Sequence, residues 1–159
     1  MTADKKFLEK FLYKKIPITK KMKLRVIKYS ENEIEIKMPL AKNKNDKNTG
    51  FAGSVFSAAA LSGWGLLTLK FMQEKVDATV VMHNTNVSFI KPVTSDFKAV
   101  CKIEDIERWN NFKNRVISKK NGKIELNIYV YNNESGKEQR AVLKAEYFAW
   151  KIKSINILP

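Results

Sequence analysis

Histidine and cysteine are almost absent from this sequence, which has one of each among its 159 residues, His83 and Cys101. A lone cysteine excludes an intrachain disulfide, and one histidine with one cysteine cannot complete a zinc site. A Ser-His-Asp triad would need His83, which we instead expect to be a satisfied core or interface histidine on a strand. No Walker or dinucleotide-binding glycine motif is present. We therefore expect no metal and no other cofactor.

An N-terminal secretory core is also missing, because charged residues recur throughout residues 4–15. Cys101 lies in an alternating, strand-like segment and is expected to behave as a small buried hydrophobe. A free cysteine without an export signal predicts a cytoplasmic protein.

Arginine is scarce although the chain is strongly basic, with 30 basic against 16 acidic residues and a net charge of +14. Four of the basic residues are Arg, whereas planar bidentate recognition of phosphates and bases favours that side chain, so nucleic-acid binding is not favoured. Basic residues are nonetheless concentrated in residues 5–28, opposed only by Asp4 and Glu9. This segment could attract an acidic carrier protein, coenzyme A phosphates, an anionic membrane or RNA, or be a solvated face.

Glycine and proline are few, six and four residues, which argues against disordered or low-complexity segments. The length fits a single domain, residues 1–159. Residues 4–15 predict an amphipathic helix, so residues 1–20 are expected to be a basic N-terminal helix packed on that domain rather than on a membrane. Strands are predicted at residues 23–29, 33–38, 78–90, 96–103, 123–132 and 138–151, a second helix at 104–120 and a hairpin loop at 132–136.

Charge is missing altogether from residues 48–69, a stretch of 22 residues. It is long enough to span a membrane, but its serines, threonines and four glycines argue against that reading. A helix of about 20 to 25 residues, buried nearly all round, fits better and requires the strands to wrap it. The sequence therefore predicts an α+β fold with a sheet curled round one long central helix.

The start of this helix is rich in small residues. Backbone N–H groups at a helix N-terminus lack internal partners and, with the helix dipole, can stabilise a carbonyl oxygen that becomes an oxyanion. Gly50 and Gly53 either admit substrate close to the backbone or simply accommodate a tight loop and helix packing. Ser54 has no base nearby, so we expect it to cap the helix or pack there. The expected substrate and oxyanion residues are Thr49, Gly50, Phe51, Ala52, Gly53 and Ser54.

Two motifs carry a family resemblance. Residues 43–54, NKNDKNTGFAGS, with residues 61–65, LSGWG, resemble the YiiD C-terminal type of thioesterase domain, and residues 87–93, VSFIKPV, resemble a turn shared by hotdog thioesterases. The resemblance implies the hotdog fold, an antiparallel sheet of about five to six strands wrapped round the central helix. It also implies a homodimer, or a homotetramer built as a dimer of dimers, with the active site between subunits near the start of the long helix.

The resemblance also indicates which catalytic groups to look for. In the broader phenylacetyl-type hotdog thioesterases an Asn precedes a His-Gly-Gly at the helix start, and a carboxylate within the helix activates water. Here Asn45 matches the Asn, Phe51 stands in place of the His and Ala60 in place of the carboxylate. No acidic residue occurs between Asp46 and Glu74, so Asp46 is the nearest substitute. Asn45 could instead belong to an ordinary turn, and Asp46 could be a loop charge near the helix dipole.

Three functions follow from these features. The first is hydrolysis of an acyl-CoA or acyl-carrier-protein thioester, with Asn45 and Asp46 catalytic and coenzyme A entering only as part of the substrate. Phe56, Trp64 and Phe89 then form a possible acyl pocket, although such residues are more often plain core. The second is a non-catalytic acyl-thioester or lipid-binding module. The third is a basic protein that binds RNA or a membrane surface through residues 5–28.

Overall fold

A computed structural model describes residues 4–133 and 138–152 of the chain. The predicted strands, the predicted central helix and the helix predicted at residues 104–120 all form within these ranges. The hairpin loop predicted at residues 132–136 lies partly outside the described residues. In chain order the elements are α1 (Lys5–Lys15), α2 (Ile18–Lys21), β1 (Arg25–Ser30), β2 (Glu33–Met38), a 3-10 turn (Leu40–Lys42), α3 (Ala52–Gln73), β3 (Ala78–Phe89), β4 (Phe97–Lys102), α4 (Ile106–Lys119), β5 (Asn121–Asn132) and β6 (Gln139–Lys151).

All strand pairs of the sheet are antiparallel, and the spatial order is β1-β2-β4-β5-β6-β3. The alternation of apolar and polar side chains along each strand determines which face of the strand is buried. In β2, for example, Ile34, Ile36 and Met38 are fully buried and the residues between them are partly exposed. Within the described ranges, β1 and β3 are the edges of the sheet. The six-stranded antiparallel sheet and its long helix confirm the predicted α+β hotdog fold.

Helix α3 lies against the inner face of the sheet, and 12 of its 22 residues are buried. Complete burial of Leu66 and Leu67 stabilises the fold by about 1.5–3 kcal/mol per side chain. The helix is long and apolar enough to cross a membrane, but the sheet encloses it, as expected of the core helix of a soluble domain. Small residues allow this close packing, since a side chain at Gly65 would collide with Leu8 of α1.

The two flanking helices cover opposite parts of this core. Helix α1 begins at its cap Asp4, whose carboxylate accepts a 2.8 Å hydrogen bond from the amide of Phe7, and it buries Leu8 and Leu12. Helix α4 begins at its cap Asp105 and buries an apolar stripe that packs on β5. That stripe consists of Trp109, Phe112 and Val116.

Two residues singled out from the sequence have different fates in the fold. Cys101 is fully buried, and burial raises the pKa of its thiol, so the expectation of a small buried hydrophobe is confirmed. The core alternative for His83 is wrong, whereas the interface alternative stays a prediction. A bulge between Met82 and Asn84 on the edge strand β3 interrupts the alternation, and the His83 side chain is 52% exposed with Nδ1 3.0 Å from Glu146 Oε1.

Candidate functional site

Asn43 organises the loop that leads into α3. Its buried side-chain amide donates 2.8 Å hydrogen bonds to the carbonyl oxygens of Met22 and Pro39. The backbone carbonyl oxygen of Asn43 accepts a 2.7 Å hydrogen bond from the amide of Phe51. Asn43 therefore ties the start of the central helix to the preceding loop, with its side chain anchored in the loop and its backbone bonded to Phe51. No strong sequence signal points to this role, because Asn43 is one of three asparagines in residues 43–48, together with Asn45 and Asn48.

Asn45 is held inside its own turn. Its Oδ1 accepts hydrogen bonds from the amides of Lys47 (2.9 Å) and Thr49 (3.1 Å), and its Nδ2 lies 3.0 Å from Thr49 Oγ1. Its backbone amide also donates to the Thr49 carbonyl at 2.8 Å. Asn45 and Thr49 therefore close a local turn that shapes the approach to the helix, and both polar side chains are occupied within it.

Asp46 projects from the same turn into solvent. Its side chain is 80% exposed and lies 3.5 Å from the Lys47 ammonium, which is itself 78% exposed. An exposed pair of this kind contributes little to stability. The carboxylate is therefore free to contact a ligand that approaches over the turn.

The backbone amides at the start of α3 are not equivalent. Gly50 donates to the Val93 carbonyl at 2.8 Å, Phe51 donates to Asn43, and Ser54 donates to the Phe51 carbonyl at 2.9 Å. Within the described part of the chain, the amides of Ala52 and Gly53 have no such acceptor. The expected set of oxyanion donors is thereby narrowed to two adjacent N–H groups at the positive end of the helix dipole.

The predicted cap is not Ser54. The helix is capped by Phe51, which supplies no side-chain hydrogen bond, and Ser54 is a buried residue in the first turn. The capping interpretation of Ser54 is therefore wrong and the packing interpretation is correct. A serine can cap only from the position just before the first helical residue, and here the helix begins two residues earlier, at Ala52.

Both glycines at the helix start are tightly packed. A methyl group at Gly50 would lie 2.8 Å from Cβ of Val93, and one at Gly53 would lie 2.5 Å from Cε1 of Phe51. The Phe51 ring thus covers Gly53 while remaining 52% exposed. Phe51 therefore packs against the Cα side of Gly53 and leaves about half of its surface open to a ligand.

Trp64 and Phe89, two of the three residues expected to form an acyl pocket, lie near different points along β3, and the pocket itself stays a prediction. The Trp64 indole donates to the Val80 carbonyl at 2.9 Å and stacks on Phe11 with ring centroids 6.0 Å apart. Phe89 lies nine residues further along β3 than Val80, about 30 Å away at 3.3 Å per residue, and is 51% exposed. Phe56 is half-buried on α3. Trp64 therefore packs α1 onto α3, whereas Phe89 lies on the edge strand.

Metal-binding side chains do not cluster in residues 4–133 and 138–152, where no group of three or more His, Cys, Asp or Glu could hold an ion. The chemistry visible at the helix start is therefore that of two amide donors, a turn fixed by Asn45 and an exposed carboxylate. Such an arrangement can bind a carbonyl oxygen and polarise its carbon toward attack.

The fold and this helix start define a hotdog protein of the thioesterase type. Residues 5–150 match the family described as putative thioesterase (yiiD_Cterm), and the chain belongs to that family.

Solved structures support the same fold. A Chlorobaculum tepidum protein of unknown function is 28% identical, with a TM-score of 0.86 and coverage of 93% of this chain and 94% of that one. A Shewanella oneidensis protein described as a putative thioesterase is 22% identical, with a TM-score of 0.80 and coverage of 92% and 96%. A Pseudomonas aeruginosa protein described as a probable thioesterase is 19% identical, with a TM-score of 0.82 and coverage of 96% and 99%.

Proposed function

We propose that this protein hydrolyses acyl thioesters of coenzyme A or of an acyl carrier protein in the cytoplasm. The observation that carries the proposal is the pair of unoccupied amides at Ala52 and Gly53, at the start of the central helix of a thioesterase-family fold. Two donors aimed at one oxygen stabilise the tetrahedral oxyanion more than the planar ester, which lowers the barrier to attack.

Water is the nucleophile in the proposed reaction. Asp46 accepts a proton from water, the water oxygen bonds to the acyl carbon, and the carbon–sulfur bond breaks as the thiolate leaves and takes up a proton. Asn45 is a positioning residue, because its hydrogen bonds to Lys47 and Thr49 fix the turn that carries Asp46. The products are a carboxylic acid and a free thiol.

A second copy of the chain completes the proposed site. Within the described ranges strand β3 is an edge of the sheet, and Val81 and Phe89 on it and Ile90 just after it are 39%, 51% and 50% exposed. An exposed apolar edge of this kind favours pairing with a partner strand. Pairing along β3 would form a homodimer, and two dimers could form a tetramer, with residue 89 of one subunit near the interface.

The experiment is a hydrolysis assay with acyl-CoA substrates of increasing chain length, in which the released thiol is measured. The Asn45→Ala/Asp46→Ala double variant should lose at least about a hundredfold in kcat, the lower range of a general-base contribution. Glu107→Gln, which removes an exposed carboxylate from α4, is the matched control and should retain full activity. Undiminished turnover in the double variant would remove Asn45 and Asp46 from the mechanism.

The second candidate is a binding module without catalysis. Its supporting observation is the absence of any Asp or Glu on α3, where the apolar Ala60 occupies the place of a catalytic acid. In that case calorimetry detects binding of an acyl-CoA that remains intact throughout the titration. Rapid turnover of the same ligand would eliminate this candidate.

A further inference from the structure

A basic groove lies where α1, α2 and the first two strands meet. Its volume is about 1010 Å³, and six of its lining residues are cationic. These are Lys20, Lys21, Lys23, Arg25, Lys37 and Lys42. Residues 20–25 and residues 37–42 are separated in sequence, so only the fold brings the two sets of charges together.

The positive charge of this groove is largely unbalanced. Among the described residues that line the groove, Glu9 is the one carboxylate, and its oxygens accept hydrogen bonds from the Val26 amide at 3.0 Å and from Arg25 Nε at 3.1 Å. Asp96 lies 3.2 Å from Lys37. The remaining four lysines of the groove have no carboxylate partner within the described ranges. A concave cluster of unpaired cations raises the local concentration of anions.

The groove also has an apolar wall. Tyr13, Ile27 and Pro39 contribute to its lining, and Ile27 is 38% exposed. The Tyr13 hydroxyl donates a 2.5 Å hydrogen bond to the Leu24 carbonyl, which fixes its ring at the groove. Cations beside an aromatic and an aliphatic surface suit a ligand that combines phosphates with a flat heterocycle.

Asn43 connects the groove to the candidate site. Its side chain bonds to Pro39, which lines the groove, and its carbonyl bonds to Phe51 at the start of α3. A second cleft, of about 610 Å³, shares Lys37 with the groove and extends to Lys44 and Asn48 of the site loop. The groove and the helix start are therefore joined by one short segment of chain.

We propose that this groove binds the 3′-phosphoadenosine diphosphate end of coenzyme A while the thioester lies at the start of α3. This inference rests on the proposed function, since it assigns the carrier part of the same substrate. A nucleotide of this kind carries three phosphate groups and an adenine ring, which match the cations and the apolar wall. The concave shape of the groove favours a small ligand over an acidic carrier protein, which would dock on a more open surface.

The test uses adenosine 3′,5′-bisphosphate, which carries no thioester, in isothermal titration calorimetry with the full chain. It should bind, binding should weaken as salt is raised, and adenosine should not bind. The Lys20→Gln/Lys23→Gln variant should bind about tenfold more weakly, and the Lys20→Arg/Lys23→Arg variant should retain binding. Lys119→Gln/Lys144→Gln removes the same charge from α4 and β6 and should bind as the unmodified protein does.

Equal binding by the Gln groove variant and the unmodified protein would overturn the proposal, as would binding of anionic vesicles or RNA with no binding of the bisphosphate. Because the titration involves no hydrolysis, its result is independent of whether the protein is an enzyme. If hydrolysis occurs, the Gln groove variant should raise KM for acyl-CoA about tenfold and leave turnover of acyl-pantetheine unchanged. An equal loss of activity toward acyl-CoA and toward acyl-pantetheine would also overturn the proposal.

Discussion

The amide of Phe51 donates a 2.7 Å hydrogen bond to the carbonyl oxygen of Asn43, and the Asn43 side chain is anchored to two further carbonyls. The start of the central helix thus depends on one buried polar residue. Since the bond occupies the Phe51 amide, it also leaves the next two amides as the free donors of the site.

Replacing Asn43 should therefore lower both stability and activity. Asn43→Ala leaves the Met22 and Pro39 carbonyls without their donor and should cost about 1–3 kcal/mol of unfolding free energy. Chemical denaturation measures this loss, and Asn114→Ala on the surface of α4 is the control, with a change within about 0.5 kcal/mol. A fully stable Asn43→Ala protein would show that the anchor is dispensable.

The two glycines of the helix start should respond differently to alanine. Gly50→Ala places a methyl group against buried Val93 and should destabilise the protein by about 1–3 kcal/mol. Gly53→Ala meets the exposed Phe51 ring, which can rotate, and gains helix propensity of about 1 kcal/mol, so its stability should be unchanged or higher. Thermal unfolding of the two variants checks this order, and equal losses would contradict it.

Gly53→Ala should also alter the candidate site without unfolding it. The added methyl group displaces the Phe51 ring from its position against Gly53 at the helix start, so the KM for an acyl thioester should change while the unfolding midpoint does not fall. Steady-state kinetics on the folded variant measure the effect. Unchanged kinetics would mean that the ring position has no part in substrate binding.

The carboxyl group of Glu74 makes the free energy of unfolding depend on pH in the acid range. Burial raises the pKa of Glu74, but hydrogen bonds from Lys113 and Trp109 and the charges of Lys113 and Lys70 outweigh it and hold that pKa below its ordinary value. A lowered carboxyl pKa stabilises the fold above its unfolded pKa of about 4.3, and this contribution is lost as pH falls through the folded value.

Glu74→Gln should therefore be less stable than the unmodified protein at pH 7, and the difference should shrink below about pH 4. Urea unfolding at both pH values measures it. Glu107→Gln, from an exposed position on α4, should show little difference at either pH. This linkage is excluded if the difference in unfolding free energy between Glu74→Gln and the unmodified protein stays constant down to low pH.

Strand β3 should control assembly if the proposed dimer forms along it. Phe89→Glu places a charge on the exposed edge and should shift the protein toward monomer in sedimentation velocity. Ile117→Glu alters an equally prominent apolar residue on α4, 42% exposed, and should leave the assembly unchanged. Identical sedimentation of both variants would exclude β3 as the interface.

Residue order alone determined the succession of helices and strands. Alternation in β2 and β5 and the lack of charge in residues 48–69 reflect burial on one face of a strand and on nearly all faces of a helix. The motifs at residues 43–54, 61–65 and 87–93 predicted the family that the match over residues 5–150 confirms. These features are local, so they can be read without knowing which elements touch.

Contacts between distant residues decided the rest. His83 lies exposed at a bulge on an edge strand. The Asn43 carbonyl accepts the Phe51 amide just before the helix begins at Ala52, and a helix that begins there leaves Ser54 inside the first turn rather than at the cap. The basic groove likewise exists only because residues 20–25 and 37–42 meet in space. Sequence periodicity states which face of an element is buried, but which amides stay free and which charges converge depends on packing between elements far apart in the chain.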